Sequence, residues 1–170
     1  SESILVDQVD MFHIADEQDK NHLFYGLLLG LIESSQLKAG SKSVEELRSD
    51  LMQCLMKLPL KCKLGDETVE QHIKSRMVQE ESNTSSIEDK LELYSQLMRN
   101  ATGDDCYEGG ALEVKLFAQL MNVTVALYDK EDDMLTRVEY IAAKGGDRPI
   151  IHLFRIPTNV QRRSGSLNPP

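Results

Sequence analysis

A chain of 170 residues with 41% apolar side chains is long enough for one domain with a buried core and too hydrophobic to stay unfolded. A formal charge of −9 excludes a nucleic-acid binder, which needs a positive footprint to displace counterions, and it suits a partner with a basic face. The longest apolar run, Leu23 to Ile32, falls short of the roughly eighteen residues that a membrane span needs.

Taken in chain order, "VDQVDMFHI" (Val6 to Ile14) alternates loosely and reads as a short strand or entry segment, and "ADEQDKN" as a polar loop. From His22 to Ser34, apolar residues at Leu23, Phe24, Leu27, Leu28 and Leu31 have helical spacing and a face wide enough for the core. "KAGSK" is a break. Ser43 to Leu58 forms the next helix, with Ser43 and Glu46 as a capping box, Leu47, Leu51, Leu55 and Leu58 along one face, and Pro59 as the stop. "KCKLGDE" is a turn, and Asp66 caps a helix of about Glu67 to Glu80. After the loop "ESNTSS", Ser86 opens a helix from Ile87 to Arg99, and beyond "NATGDDCYEGG" a short buried helix runs from Ala111 to Met121.

After Asn122 the texture changes. "VTVALYD" is β-branched, "KEDDM" is a tight acidic turn, "LTRVEYIAA" alternates with period two, and "IIHLFRI" is a third strand after the turn "KGGDRP". The expectation is a three-stranded meander packed on the preceding helices. Helices first and strands last give an α+β class. Residues 1–156 make one domain, with a helical lobe over 43–100, and 157–170 is a loop or tail.

Cys54, Cys62 and Cys106, an odd set without paired spacing, indicate reduced thiols and a cytoplasmic setting. The acidic N-terminus lacks the basic region of a secretory signal, so the Asn-x-Thr/Ser matches at Asn83, Asn100 and Asn122 are chance. Cys54 and Cys62 read as packing residues. His13, His22 and Cys106 lack recognisable metal-ligand spacing, so no metal and no cofactor are expected.

Two stretches taken together resemble a known family. "DKNHLFYGL" resembles the Asp-Gly-Asn-Cys-Leu-Phe signature around the nucleophile of ovarian tumour (OTU) cysteine proteases. "CYEGGALEVKLFAQLMNVTVALYD" resembles that family's Trp-Gly-Gly-x-x-Glu segment, in which a glycine pair precedes a helix and then a strand. The resemblance covers most of the chain. It implies an OTU-like fold of the papain-like superfamily, with helices on a small, twisted, mostly antiparallel sheet in the C-terminal third. It also implies a site built from Asp19 at the oxyanion-loop position, Lys20, Asn21, the nucleophile position His22, and Glu108, Gly109 and Gly110 along the substrate groove. Glu113 reads as a surface or capping carboxylate, to which the resemblance gives a structural role.

The departures decide the chemistry. His22 stands where the catalytic cysteine belongs, Lys20 where glycine is usual, and Glu108 where tryptophan is usual. A thiol at a helix N-terminus becomes a thiolate there, whereas the positive helix end keeps an imidazole mostly neutral, and a neutral imidazole is a poor partner in amide cleavage. A side chain at Lys20 would close the oxyanion loop, the more so at a positive φ. The general-base histidine of the family follows the last core strand, and the chain ends at Pro170 before such a residue, with His152 inside the strand pattern. The resemblance therefore implies an inactive pseudo-deubiquitinase that binds ubiquitin or another protein and neither nucleic acid nor membrane. Two alternatives stay open. One is an active OTU-type deubiquitinase whose nucleophile was replaced or moved to Cys106, or which is cut short of its general base. The other is a helical interaction domain unrelated to proteases.

Overall fold

The computed structural model describes residues 20–78, 85–103, 106–131, 134–141 and 148–155. The expected strand at Val6 to Ile14, the oxyanion-loop residue Asp19, and the tail 157–170 lie outside the described residues. Among the described residues, five helices precede most of the strands: α1 His22–Glu33, α2 Val44–Lys57, α3 Val69–Arg76, α4 Ile87–Arg99 and α5 Ala111–Met121. The strands are β1 Lys63–Leu64 and β2 Glu67–Thr68, which form a small hairpin, then β3 Thr124–Glu131, β4 Met134–Ile141 and β5 Ile150–Arg155. The class is α+β. None of the described helices is long and apolar enough to cross a membrane.

Local chemistry explains most boundaries. Ser43 caps α2 by accepting from the Glu46 backbone N–H at 3.1 Å, while the Glu46 carboxylate meets the Ser43 hydroxyl at 3.3 Å. Ser86 caps α4 through Asp89 N–H at 3.1 Å. Asn122 ends α5 in the left-handed region at φ 59° and ψ 46°, a conformation that asparagine tolerates better than most residues. Helix α3 differs from expectation. Thr68, not Asp66, is its cap, in a full capping box with Gln71. Asp66 instead follows Gly65, at φ 73°, in the turn of the β1–β2 hairpin. Two-residue strands are too short to show the period by which strands are read, so "KCKLGDE" looked like a plain turn.

The large sheet corrects the expected meander. Its order is β4–β3–β5: β3 pairs antiparallel with β4 and parallel with β5, so the sheet is mixed rather than mostly antiparallel. The hairpin strands also run further than expected, taking Lys130 and Glu131 into β3 and Met134 into β4. Strand β3 is the central strand and is covered on both faces. Val125 and Ala126, whose side chains point to opposite faces, are both buried. Strand β5 sits beside β3 because α1 offers it a surface without side chains. A Cβ added at Gly30 would stand 2.3 Å from Ile151 Cγ2, and one at Gly26 would stand 3.2 Å from Leu153 Cδ2. Residues four apart share a helix face, so these glycines form one groove that receives alternate residues of β5. The other buried residues of α1 join the core: Phe24, Leu27, Leu28 and Leu31 are buried with Leu47, Leu51, Val114 and Phe117.

Gly30→Ala is expected to destabilise the fold by about 1–3 kcal/mol through overpacking, although alanine is the better helix former. Gly26→Ala should cost less, since its neighbour is the end of a flexible leucine. Urea unfolding of both variants measures this, and a neutral or stabilising Gly30→Ala would contradict the close helix–strand approach.

Candidate functional site

The site begins at the first turn of α1. Asn21 is the N-cap residue, but its side chain makes no cap hydrogen bond; its φ of −101° and ψ of 0° turn it elsewhere. Its Nδ2 donates to the Ala101 carbonyl at 2.9 Å, and its Oδ1 accepts from Arg48 Nε at 2.8 Å. Arg48 is fully buried. Its other nitrogens donate to the Lys20 carbonyl at 2.9 Å and the Met98 carbonyl at 2.8 Å, and its guanidinium lies 4.2 Å from the centre of the Phe24 ring. A buried guanidinium needs such donations to offset its desolvation.

His22 is the next residue and projects outward. Its Nε2 lies 3.3 Å from Glu108 Oε1, with the two side chains 40% and 58% exposed. The glycine pair follows directly. A Cβ on Gly109 would come within 2.8 Å of both Leu23 Cδ2 and Phe24 Cζ, so only glycine lets this loop lie on the first turn of α1. The Glu108 carbonyl accepts from Arg76 Nη2 at 2.6 Å, and Arg76 also stands 5.9 Å from the Tyr94 ring centre and 5.7 Å from that of Tyr107.

Glu113 ties the loop to α5. Its Oε1 accepts from the Gly110 backbone N–H at 2.8 Å, the side-chain half of a capping box. Its Oε2 accepts from the Tyr94 hydroxyl at 2.6 Å. Glu113 is wholly inaccessible to solvent. Burial raises its carboxyl above the ordinary value of 4.5, against the opposing pull of the Tyr94 and Gly110 hydrogen bonds and the Arg76 charge. Burial, followed by the adjacent carboxylate, holds the Tyr94 phenol well above its usual range.

The structure thus brings His22, Glu108, Gly109 and Gly110 to one place, with Lys20 and Asn21 at its back. The other residues singled out in the sequence are placed as follows. Lys20 is half-buried, and its carbonyl accepts from Arg48 Nη2 at 2.9 Å. Glu113 is not a surface carboxylate; it is buried, although it does cap. His152 cannot face position 22: Ile151 and Leu153 point at α1, so the residue between them lies on the other side of the sheet, where its Nδ1 is 3.1 Å from the Tyr128 hydroxyl. Cys106 is buried, with 3% exposure, so a substrate has no access to its thiol, and this removes it as a relocated nucleophile. Among the described residues no three His, Cys, Asp or Glu side chains converge as a metal site.

Sequence reasoning missed Arg48 and Arg76, and it saw Tyr94 only as one of the apolar face Leu91, Tyr94, Leu97 and Met98 of its helix. One signal for Arg48 exists: it interrupts the stripe Val44, Arg48, Met52, in which both neighbours four residues away are buried. Arg76 carries no such signal, and the period that buries Tyr94 does not name its partner, because the role of both arises from separate segments meeting. Chemically, the exposed groups are one imidazole and one carboxylate. They can hydrogen-bond each other and a partner; they contain no thiolate. No family model matches the chain, and neither curated proteins nor solved structures yield a match.

The buried carboxyl makes stability depend on pH with a definite sign. Between 4.5 and its own raised value, Glu113 holds a proton in the folded chain that it has lost in the unfolded one. Its contribution is therefore full below 4.5 and falls as pH rises through that window. Glu113→Gln should flatten this slope in urea unfolding measured at successive pH values. An equal slope in both chains would contradict the assignment.

Proposed function

We propose that the chain is an OTU-like pseudo-deubiquitinase: a domain that keeps the protease groove as a surface for ubiquitin, or another protein, and has no covalent chemistry. The observation that carries this reading is the meeting of His22 and Glu108. These are two of the positions at which the chain departs from the resembled motifs, and their side chains touch at 3.3 Å beside the glycine pair. Two departures far apart in sequence that satisfy each other fit a site that has been refitted, not one that has decayed.

The physics is consistent with binding. Attack on an isopeptide carbonyl requires a nucleophile, and neither His22 nor the buried Cys106 supplies one. The Gly110 N–H is already engaged by Glu113, so it is not a donor for a developing oxyanion. What is left is a half-exposed, hydrogen-bonding rim on an acidic protein, and ubiquitin presents a basic and apolar face.

Titration of isotope-labelled chain with unlabelled ubiquitin should shift amide resonances at Lys20–His22 and Glu108–Gly110 in a saturable way. His22→Ala or Glu108→Ala should weaken that response, and no hydrolysis of a ubiquitin isopeptide should be seen. An unperturbed spectrum at high ubiquitin concentration would defeat ubiquitin as the partner. Turnover by the unaltered chain would defeat the inactive reading.

A further inference from the structure

Arg48 has no counterpart in the reading of the site as a rim of His22 and Glu108, yet it is the largest wholly buried side chain among the described residues. It lies behind the residues that precede position 22. One nitrogen holds the Lys20 carbonyl, another holds Asn21 Oδ1, and a third holds Met98 at the end of α4. Asn21 then reaches on to Ala101 with its own amide. The backbone entering α1 is thus fastened by side-chain hydrogen bonds to α2 and to the segment after α4. Asn21 illustrates the direction of the demand. An asparagine at an N-cap ordinarily accepts from its own helix, and here it forgoes that bond for Arg48 and Ala101. A residue that gives up its local bond in favour of distant ones is fixing where the helix starts.

We infer that Arg48, acting through Asn21, is the positioning residue of the site: it sets the backbone of Lys20–Asn21 so that the side chain at position 22 stands at the positive end of α1. This deepens the proposed function and rests on its premise that position 22 is a former reactive position. The shape of the Arg48 side chain carries this role. Its planar fork reaches two acceptors on adjacent residues, Lys20 and Asn21, which a lysine ammonium on a single stem cannot copy. The consequence is that the geometry favouring a thiolate persists without the sulphur, because none of these bonds involves residue 22.

The test puts a reporter thiol at position 22. In the full chain carrying His22→Cys and Glu108→Gln, the second change removing a carboxylate that would oppose a thiolate, iodoacetamide alkylation of each cysteine is followed by peptide mass spectrometry across pH. The introduced thiol should react faster than Cys54 near neutral pH, with a midpoint below that of an ordinary thiol. Adding Asn21→Ala should slow its alkylation by about threefold to fivefold, the size of a helix-terminus effect, and raise its midpoint. Arg48→Lys should do the same. Arg48 is buried and its replacement risks the fold, and Asn21→Ala therefore carries the test alone if that variant does not fold. Ser86→Ala, which removes the cap at the far end of α4, lowers stability without touching the loop and should leave alkylation at position 22 unchanged. If Asn21→Ala leaves the reporter as fast as before, or slows it no more than Ser86→Ala does, Arg48 and Asn21 only stabilise the fold and the inference fails while the site reading stands. If the reporter is no faster than Cys54 before Asn21 is changed, the premise about position 22 fails, and the inference with it. Neither outcome depends on ubiquitin.

Discussion

Helix α1 is held on two sides where no side chain fits. Strand β5 lies in the groove over Gly26 and Gly30, and the loop before α5 lies on its first turn through Gly109. Close-packed interiors do not adjust continuously, so these approaches leave α1 little freedom to slide or rotate. The sheet order follows from the first of them, because β5 must leave β4 and pair beside β3 to reach the groove. The position of the site follows from the second, because the same contact brings Glu108 to His22.

Two buried ionisable residues complete the frame, and they work in the same way. Arg48 gathers the backbone before α1, and Glu113 gathers the backbone before α5. Each is inaccessible to solvent, and each directs its hydrogen-bonding capacity to main-chain groups of a loop as well as to a side chain. Loops usually carry their polar groups at the surface, where water satisfies them. Here two loops are anchored from within, which is costly in desolvation and yields rigid placement in return. None of these anchoring bonds uses the residue at position 22. The residue at position 22 can therefore be exchanged with the surrounding geometry kept.

His22 and Glu108 differ from these anchors in kind. Both are substantially exposed, and a solvent-exposed pair at 3.3 Å contributes little to stability. Their contact sets the shape and hydrogen-bonding pattern of the rim. On the proposed reading they are what a partner meets, while Arg48, Glu113, Tyr94 and Arg76 determine where the partner meets them.

The amino-acid sequence alone determined the helices from His22, Val44, Ile87 and Ala111, because each carries a 3.6-residue apolar period, and two of them have the expected serine cap, Ser43 and Ser86. It determined the strand character after Asn122, because β-branched residues cluster there. Tertiary structure alone decided that β5 runs parallel to β3, since strand pairing depends on what covers each face and not on the period within a strand. It alone decided that Glu108 meets His22, that His152 faces away, and that Arg48 and Glu113 are buried. Those facts arise where segments distant in the chain share one small volume, and periodicity, which reports only neighbours along an element, carries no information about that meeting.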